Sequence, residues 1–71
     1  MKYTNDPKKI AANIRAERCR LYLKQEEVAN KVGISRASYL EFERDATKLR
    51  VGTLLKIADA LGCSIDIFYM P

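Results

Sequence analysis

Apolar residues follow a helical period along most of the chain. Ile10, Ile14 and Leu21 recur at spacings of four and seven residues, which predicts an amphipathic helix ending near Leu21. Asp6-Pro7 predicts where this helix starts, because a carboxylate caps free N–H groups and proline suits the first helical position. The N-terminal third of the chain is therefore predicted to be one helix.

Gly33 separates two shorter helical patterns. The first runs from Gln25 to Val32 and ends at Gly33, which suits the left-handed position after a helix. Ser35 is a good N-cap for the second, which runs to Arg44. Two helices at a steep angle across a tight glycine turn place one helix in a DNA groove. Residues 25–44 are thus predicted to form a helix-turn-helix.

The last third of the chain predicts two more helices. One runs from about Val51 to Leu61 and ends at Gly62, and Ser64 caps a short final helix over 65–69. No hairpin, repeat or low-complexity linker is visible. The expected fold is all-α, with five short helices around one core, and residues 1–71 form one domain.

The 3.6-residue period divides the third helix into two faces. Tyr39, Phe42 and Glu43 should point toward the body of the protein. The opposite face should carry Ala37, Leu40, Glu41 and Arg44, with Arg36 at the N-terminal tip. Each of these outward residues is also unremarkable on an exposed helix, and Leu40 most needs a partner, which is either a base methyl group or another protein.

These outward side chains have chemistry that suits DNA bases. Arg36 can donate two hydrogen bonds to a guanine, Ala37 and Leu40 can contact a thymine methyl group, and Glu41 can accept from a cytosine amine. Gln25 begins a helix whose free N–H groups can hold a phosphate. Lys48, in the loop after the third helix, is another candidate for a backbone contact, or equally a solvated lysine.

Arg18 and Glu43 are predicted to form a structural ion pair. Arg18 lies on the inward stripe of the first helix, and Glu43 is beside Phe42. A buried charge is costly unless it is paired, so the two side chains should meet.

Composition excludes several classes of function. The 71 residues contain no histidine, which removes Ser-His and Cys-His nucleophilic pairs and histidine zinc sites. Cys19 and Cys63 are isolated and are expected to be free thiols. The net charge is +4, concentrated in residues 1–24, which suits a phosphate-rich partner. No signal peptide or membrane-spanning run is visible, so we expect a cytoplasmic protein. With no histidine and no C-x-x-C spacing, we expect no cofactor.

Ordered motifs in four helices resemble the Xre family of lambda-repressor-like helix-turn-helix regulators. The matching residues are Ile10-x-x-x-Ile14-Arg15-x-x-Arg18, Leu23-Lys24-Gln25-Glu26-Glu27-Val28-Ala29, Val32-Gly33-Ile34-Ser35-Arg36, Phe42-Glu43-Arg44 and Leu54-Leu55-Lys56-Ile57-Ala58-x-Ala60-Leu61-Gly62. The match departs from the family pattern in Tyr22 and Asp45, which stand where glycine is common, and in Lys24, which replaces a serine cap.

The resemblance implies a five-helix domain that binds operator DNA as a homodimer. It implies that Gln25 orients the protein on phosphate, that Arg36, Ala37 and Glu41 read bases, and that Ser35, Ser38 and Lys48 lie near the DNA backbone. It also places a buried salt bridge at Arg18 and Glu43. The expected regulator is a repressor, and contact of Glu26 and Glu27 with RNA polymerase would instead make it an activator.

The dimer surface is predicted at the C-terminal segment, which has more apolar surface than a short helix can bury: Ile65, Ile67, Phe68, Tyr69 and Met70. Closure of the core by the same residues is the alternative. Other functions remain open, namely an antitoxin-like module that binds a partner protein, an RNA adaptor, and, least supported, an enzyme.

Overall fold

Four α-helices and one 3-10 helix make up the computed structural model, which describes residues 2–71. We number the α-helices α1 to α4; their bounds are Pro7–Arg20, Gln25–Val32, Arg36–Arg44 and Val51–Leu61. The all-α prediction is confirmed. The last element, Ile65–Tyr69, is a 3-10 helix, a tighter form that is common in pieces too short for a stable α-helix. The predicted final helix is therefore present at the predicted residues, and the five-helix count becomes four α-helices and one 3-10 helix.

Capping side chains set the starts of three helices. The Asp6 carboxylate accepts from the Lys8 N–H at 3.0 Å, and the Ser35 hydroxyl accepts from the Ser38 N–H at 3.1 Å. Lys24 has no acceptor with which to cap α2. Instead, the Glu27 carboxylate accepts the Lys24 backbone N–H at 2.9 Å, which is half of a capping box. The start of α2 is thus stabilised from inside the helix.

α1 ends in a left-handed turn made by Tyr22 at φ +58°. The Tyr22 N–H bonds to the Cys19 carbonyl at 3.0 Å, and the Leu23 N–H bonds to the Arg18 carbonyl at 3.3 Å. This pair of bonds is a Schellman motif, in which glycine usually takes the left-handed position. α2 and α4 end on glycines with φ of +84° and +64°. A side chain at such a position costs about 1–2 kcal/mol.

The core lies where α1, α2, α3, α4 and the 3-10 helix meet. α1 packs against α3 and the 3-10 helix, while α2 packs against α3 and α4. The largest fully buried side chains are Tyr39, Phe68, Ile14, Ile57 and Val28. Since Phe68 is fully buried, its assignment to a dimer surface was wrong; Ile65 and Tyr69 are half-buried against the same core. Ile67 and Met70 remain exposed.

The side chain of Asn13 on α1 binds the C-terminal segment through two hydrogen bonds. The Asn13 amide donates to the carbonyl oxygens of Phe68 at 2.9 Å and Met70 at 2.7 Å. The Thr4 N–H, just before α1, bonds to the Tyr69 carbonyl at 2.7 Å. These three bonds therefore hold the C-terminal segment against α1 and against the residues that precede it. Within residues 2–71 no helix has the length and apolar character needed to cross a membrane.

Candidate nucleic-acid interface

The outward face of α3 presents most of the predicted base-reading side chains to solvent. Arg36, Ala37, Ser38, Glu41 and Arg44 are exposed, as is the capping residue Ser35. Tyr39 and Glu43 are buried on the opposite face. The division of this helix into an inner and an outer face therefore follows the prediction at these positions.

Leu40 and Phe42 do not fit that division. Leu40 was expected to point outward and Phe42 inward, but both are half-buried. At 100° per residue they lie roughly 80° on either side of the centre of the buried face formed by Tyr39 and Glu43. Each is therefore at an edge of that face, and Phe42 lines a surface groove instead of joining the core cluster.

The starts of α2 and α3 share an open groove. Its lining includes Lys24, Gln25 and Glu26 from the first helix of the motif and Arg36 from the second, with Arg18 behind them. Among residues 2–71, neither Lys24 nor Arg36 forms an ion pair. The groove thus joins two unpaired cations and one carboxylate, Glu26, to a helix N-terminus, so the cations and the free N–H groups outnumber the single negative charge that an anion would meet.

A buried hydrogen-bond network supports this groove. Arg18 and Glu43 form a two-pronged ion pair, with Nε to Oε2 at 2.6 Å and Nη2 to Oε1 at 3.0 Å, as predicted. Gln25 extends the network, because its Nε2 donates to Glu43 Oε1 at 3.1 Å. One N–H and the carbonyl oxygen of the Gln25 amide have no partner among these bonds and remain available for a ligand.

The network keeps Glu43 ionised. Burial alone would raise the pKa of this carboxyl group, but its hydrogen bonds, above all those from Arg18, lower the pKa below the usual value for glutamate.

The bond from Gln25 to Glu43 was not predicted from the sequence. The residues are 18 positions apart, and only the packing of α2 against α3 brings them together.

The loop after α3 forms a second groove. Ser38, Glu41 and Phe42 line one side, and Asp45, Thr47 and Lys48 line the other. Asp45 Oδ1 accepts from the Thr47 N–H at 2.8 Å, so the aspartate that replaces a glycine forms a local turn. The Ala46 N–H bonds to the Pro7 carbonyl at 3.1 Å and ties the loop to the start of α1. Lys48 is exposed and lines the same groove as Ser38 and Glu41.

Comparison with known proteins decides the family. A model of the family described as helix-turn-helix matches residues 14–68, which covers both grooves and every helix of the protein in whole or part. The chain belongs to this family. It is a DNA-binding helix-turn-helix transcriptional regulator of the Xre type.

Individual relatives agree with this assignment. An uncharacterized helix-turn-helix transcriptional regulator, y4mF of Sinorhizobium fredii, is 33% identical over 61 residues, which cover 86% of this chain and 80% of the relative. The restriction-modification controller C.AhdI from Aeromonas hydrophila superposes with a TM-score of 0.83 at 26% identity, covering 87% of this chain and 94% of the controller. The hypothetical transcription factor NHTF from Neisseria gives a TM-score of 0.85 at 27% identity, covering 94% and 77%.

For a regulator of this helix-turn-helix family, the exposed charges on α3 are unequal. Glu41 and Arg44 approach each other at 3.7 Å on the surface, a pair that contributes little in water. Glu41 can therefore leave Arg44 at little cost. Arg36 forms no such ion pair within residues 2–71, so its guanidinium is the unpaired cation on this face of α3.

Proposed function

We propose that residues 1–71 act as one DNA-binding domain that recognises a two-fold operator as a homodimer, with α3 in the major groove. The observation that carries this proposal is the groove between the starts of α2 and α3. It places Arg36 at the tip of α3 beside Lys24 and Gln25. One helix can then hold the phosphate backbone while the other reaches base edges.

Each exposed residue of the motif has a proposed role. Gln25 and Lys24 hold phosphate, Ser35, Ser38 and Lys48 lie along the DNA backbone, and Arg44 flanks them. Arg36, Ala37 and Glu41 read bases. Leu40 is half-buried, so its methyl groups can offer a thymine only part of their surface. Selection of bound duplexes from random DNA at two salt concentrations tests the proposal, because generic attraction falls steeply with salt. Recovery of no preferred sequence at either concentration would contradict it.

Arg36→Ala should change sequence preference more than affinity for DNA in general. A two-pronged contact to guanine is worth about 1–3 kcal/mol of discrimination, so preference should relax at one base pair of each half-site. Lys48→Ala is the matched control, because loss of a phosphate contact should weaken binding to all sequences alike. Quantitative binding to single-substitution operators measures both. An unchanged preference in Arg36→Ala would show that the guanidinium does not read a base.

The dimer surface is proposed to use the apolar side chains that the fold leaves exposed. Those in the C-terminal segment are Ile67 and Met70, with exposed fractions of 38% and 50%, and α4 adds Val51 and Leu55 at 64% and 50%. A continuous patch of exposed apolar side chains favours a partner surface, and the proposed dimer uses these four side chains as such a patch. A two-fold dimer would set its two α3 helices about 34 Å apart, in successive major grooves.

Ile67→Asp is expected to convert the dimer to a monomer at micromolar concentration. The new charge would have to lose its water inside an apolar contact, while the exposed side chain leaves the fold of the monomer intact. Sedimentation velocity measures the change, and Glu26→Lys, an exposed substitution on another helix, is the control. A dimer that survives Ile67→Asp would place the interface elsewhere.

Repression in the cytoplasm is the simplest mode of regulation for such a protein, through occupation of a promoter. We propose no catalytic activity. Activation would need contact with RNA polymerase, for which Glu26 is the available carboxylate because Glu27 caps α2.

The exposed apolar side chains also fit the alternative of an antitoxin-like module, in which a partner protein replaces the second copy. That alternative predicts a monomer that binds operator DNA only with its partner.

A further inference from the structure

Tyr22 holds a backbone conformation that a side chain disfavours, and the side chain itself makes almost no contact with the rest of the fold. It is the only residue other than glycine with a positive φ in the described part of the chain. Its side chain is 93% exposed, so it has almost no packing that would offset the strain. A residue kept in a strained conformation without internal contacts is a candidate for a functional contact.

Hydrogen bonds hold the backbone on both sides of Tyr22. The two bonds of the Schellman motif hold its peptide groups, and the Leu23 carbonyl accepts from Arg18 Nη1 at 2.8 Å. Arg18 is itself fixed by Glu43. Tyr22 is therefore anchored to the same network that orients Gln25, only three residues before it.

The residues that follow Tyr22 along the chain include groups that attract an anion. Lys24 follows two residues later and shares a groove with Gln25 and Arg36, and neither cation is paired within residues 2–71. The apolar side chains that a second copy of the chain would need are on other elements, α4 and the C-terminal segment. The cations close to Tyr22 in the sequence thus favour a phosphate over a protein surface as its partner.

We propose that the Tyr22 hydroxyl donates a hydrogen bond to a phosphate oxygen of duplex DNA, beside the phosphate held by Gln25 and Lys24. A phenol hydroxyl is a competent donor, and tyrosine is among the side chains that contact DNA phosphates. This inference rests on the proposed DNA-binding function. The contact carries no base information, so it contributes equally to operator and non-operator binding.

Two substitutions separate the role of Tyr22 in the fold from its role in binding. Tyr22→Gly removes the strained side chain, so the melting temperature should rise by about 4 °C. In spite of this, its Kd for duplex DNA should increase roughly fivefold, which is about 1 kcal/mol. Tyr22→Phe keeps the ring but not the hydroxyl, and should show the same loss of affinity without the rise in melting temperature. Tyr3→Phe, also exposed, is the matched control and should bind as the wild type does.

Fluorescence anisotropy with operator and scrambled duplexes, at one salt concentration, measures all three variants. Equal weakening on both duplexes supports the proposal. Wild-type affinity in Tyr22→Phe would overturn the hydroxyl contact, and a change of sedimentation coefficient in Tyr22→Gly would assign the side chain to a protein interface. If the wild type binds no duplex, the proposed function fails first; if it binds and Tyr22→Gly is unaffected, only the present inference fails.

Discussion

Glu43→Ala is expected to lower the free energy of unfolding by about 3–5 kcal/mol, because it leaves the Arg18 guanidinium buried without its counter-charge. The side chains of Arg18 and Glu43 are only 12% and 2% exposed, so water cannot take the place of the missing partner. For a domain of this length the loss is a large part of a total on the order of 4–10 kcal/mol. Urea unfolding followed by circular dichroism measures it.

The control for this substitution is Glu41→Ala on the same helix. Glu41 is exposed and faces Arg44 at 3.7 Å, so the expected change is below about 0.5 kcal/mol. Replacing Arg18 and Glu43 together by methionine and leucine should recover much of the stability, since no unpaired charge remains. A loss in Glu43→Ala as small as that in Glu41→Ala would mean that the ion pair is not formed in solution.

The same pair predicts a dependence of stability on pH. The pKa of Glu43 is lower in the folded state than its ordinary value, so the folded state favours the ionised carboxylate. Its contribution is therefore complete above the ordinary glutamate pKa of about 4.3 and is lost as the pH falls through the folded-state pKa. The difference in unfolding free energy between the wild type and Glu43→Gln should be constant near neutral pH and shrink below about pH 4.

Phe68→Ala is the second large expected effect, at about 3–5 kcal/mol of lost stability. The ring is fully buried in the core, and its own carbonyl accepts from Asn13, so little rearrangement can fill the resulting cavity. Thermal unfolding should show a much lower melting temperature. Asp66→Ala, two residues earlier in the same 3-10 helix and exposed, is the control and should cost less than about 1 kcal/mol.

This contrast decides how the proposed dimer can be studied. A variant of Phe68 that lost its dimer would report only on unfolding of the C-terminal segment. Ile67 and Met70 are exposed enough to be changed without disturbing the monomer. Similar losses of stability in Phe68→Ala and Asp66→Ala would contradict the placement of the 3-10 helix on α1.

Local signals predicted the helices well because their causes are local. Asp6-Pro7, Ser35 and Gly33 act on backbone groups within a few residues, and the structure uses each of them as predicted. The ion pair of Arg18 with Glu43 was predictable for a different reason. Each side chain lies on an otherwise apolar stripe of its helix. A charge buried there is costly unless an opposite charge pairs with it.

The features that were not predicted from the sequence depend on contacts between separate helices. Periodicity gives a direction for each side chain but not the width of the buried face, so it misplaced Leu40 and Phe42 at its edges. Five apolar residues at the C-terminus looked alike in sequence, yet only contact with α1 selects Phe68 for the core. The bond from Gln25 to Glu43 also arises only when α2 and α3 are packed.

Two contacts on α1 have a consequence for the assembly as a whole. Asn13 holds the C-terminal segment, and Arg18, five residues later and about 7.5 Å along the same helix, holds α3. A segment of α1 less than two turns long therefore connects the proposed partner surface to the helix proposed to read bases. In a homodimer built this way, α1 would fix the distance between the partner surface and α3. The protein would then set the separation of the two half-sites, and the DNA would have to bend or twist to match it.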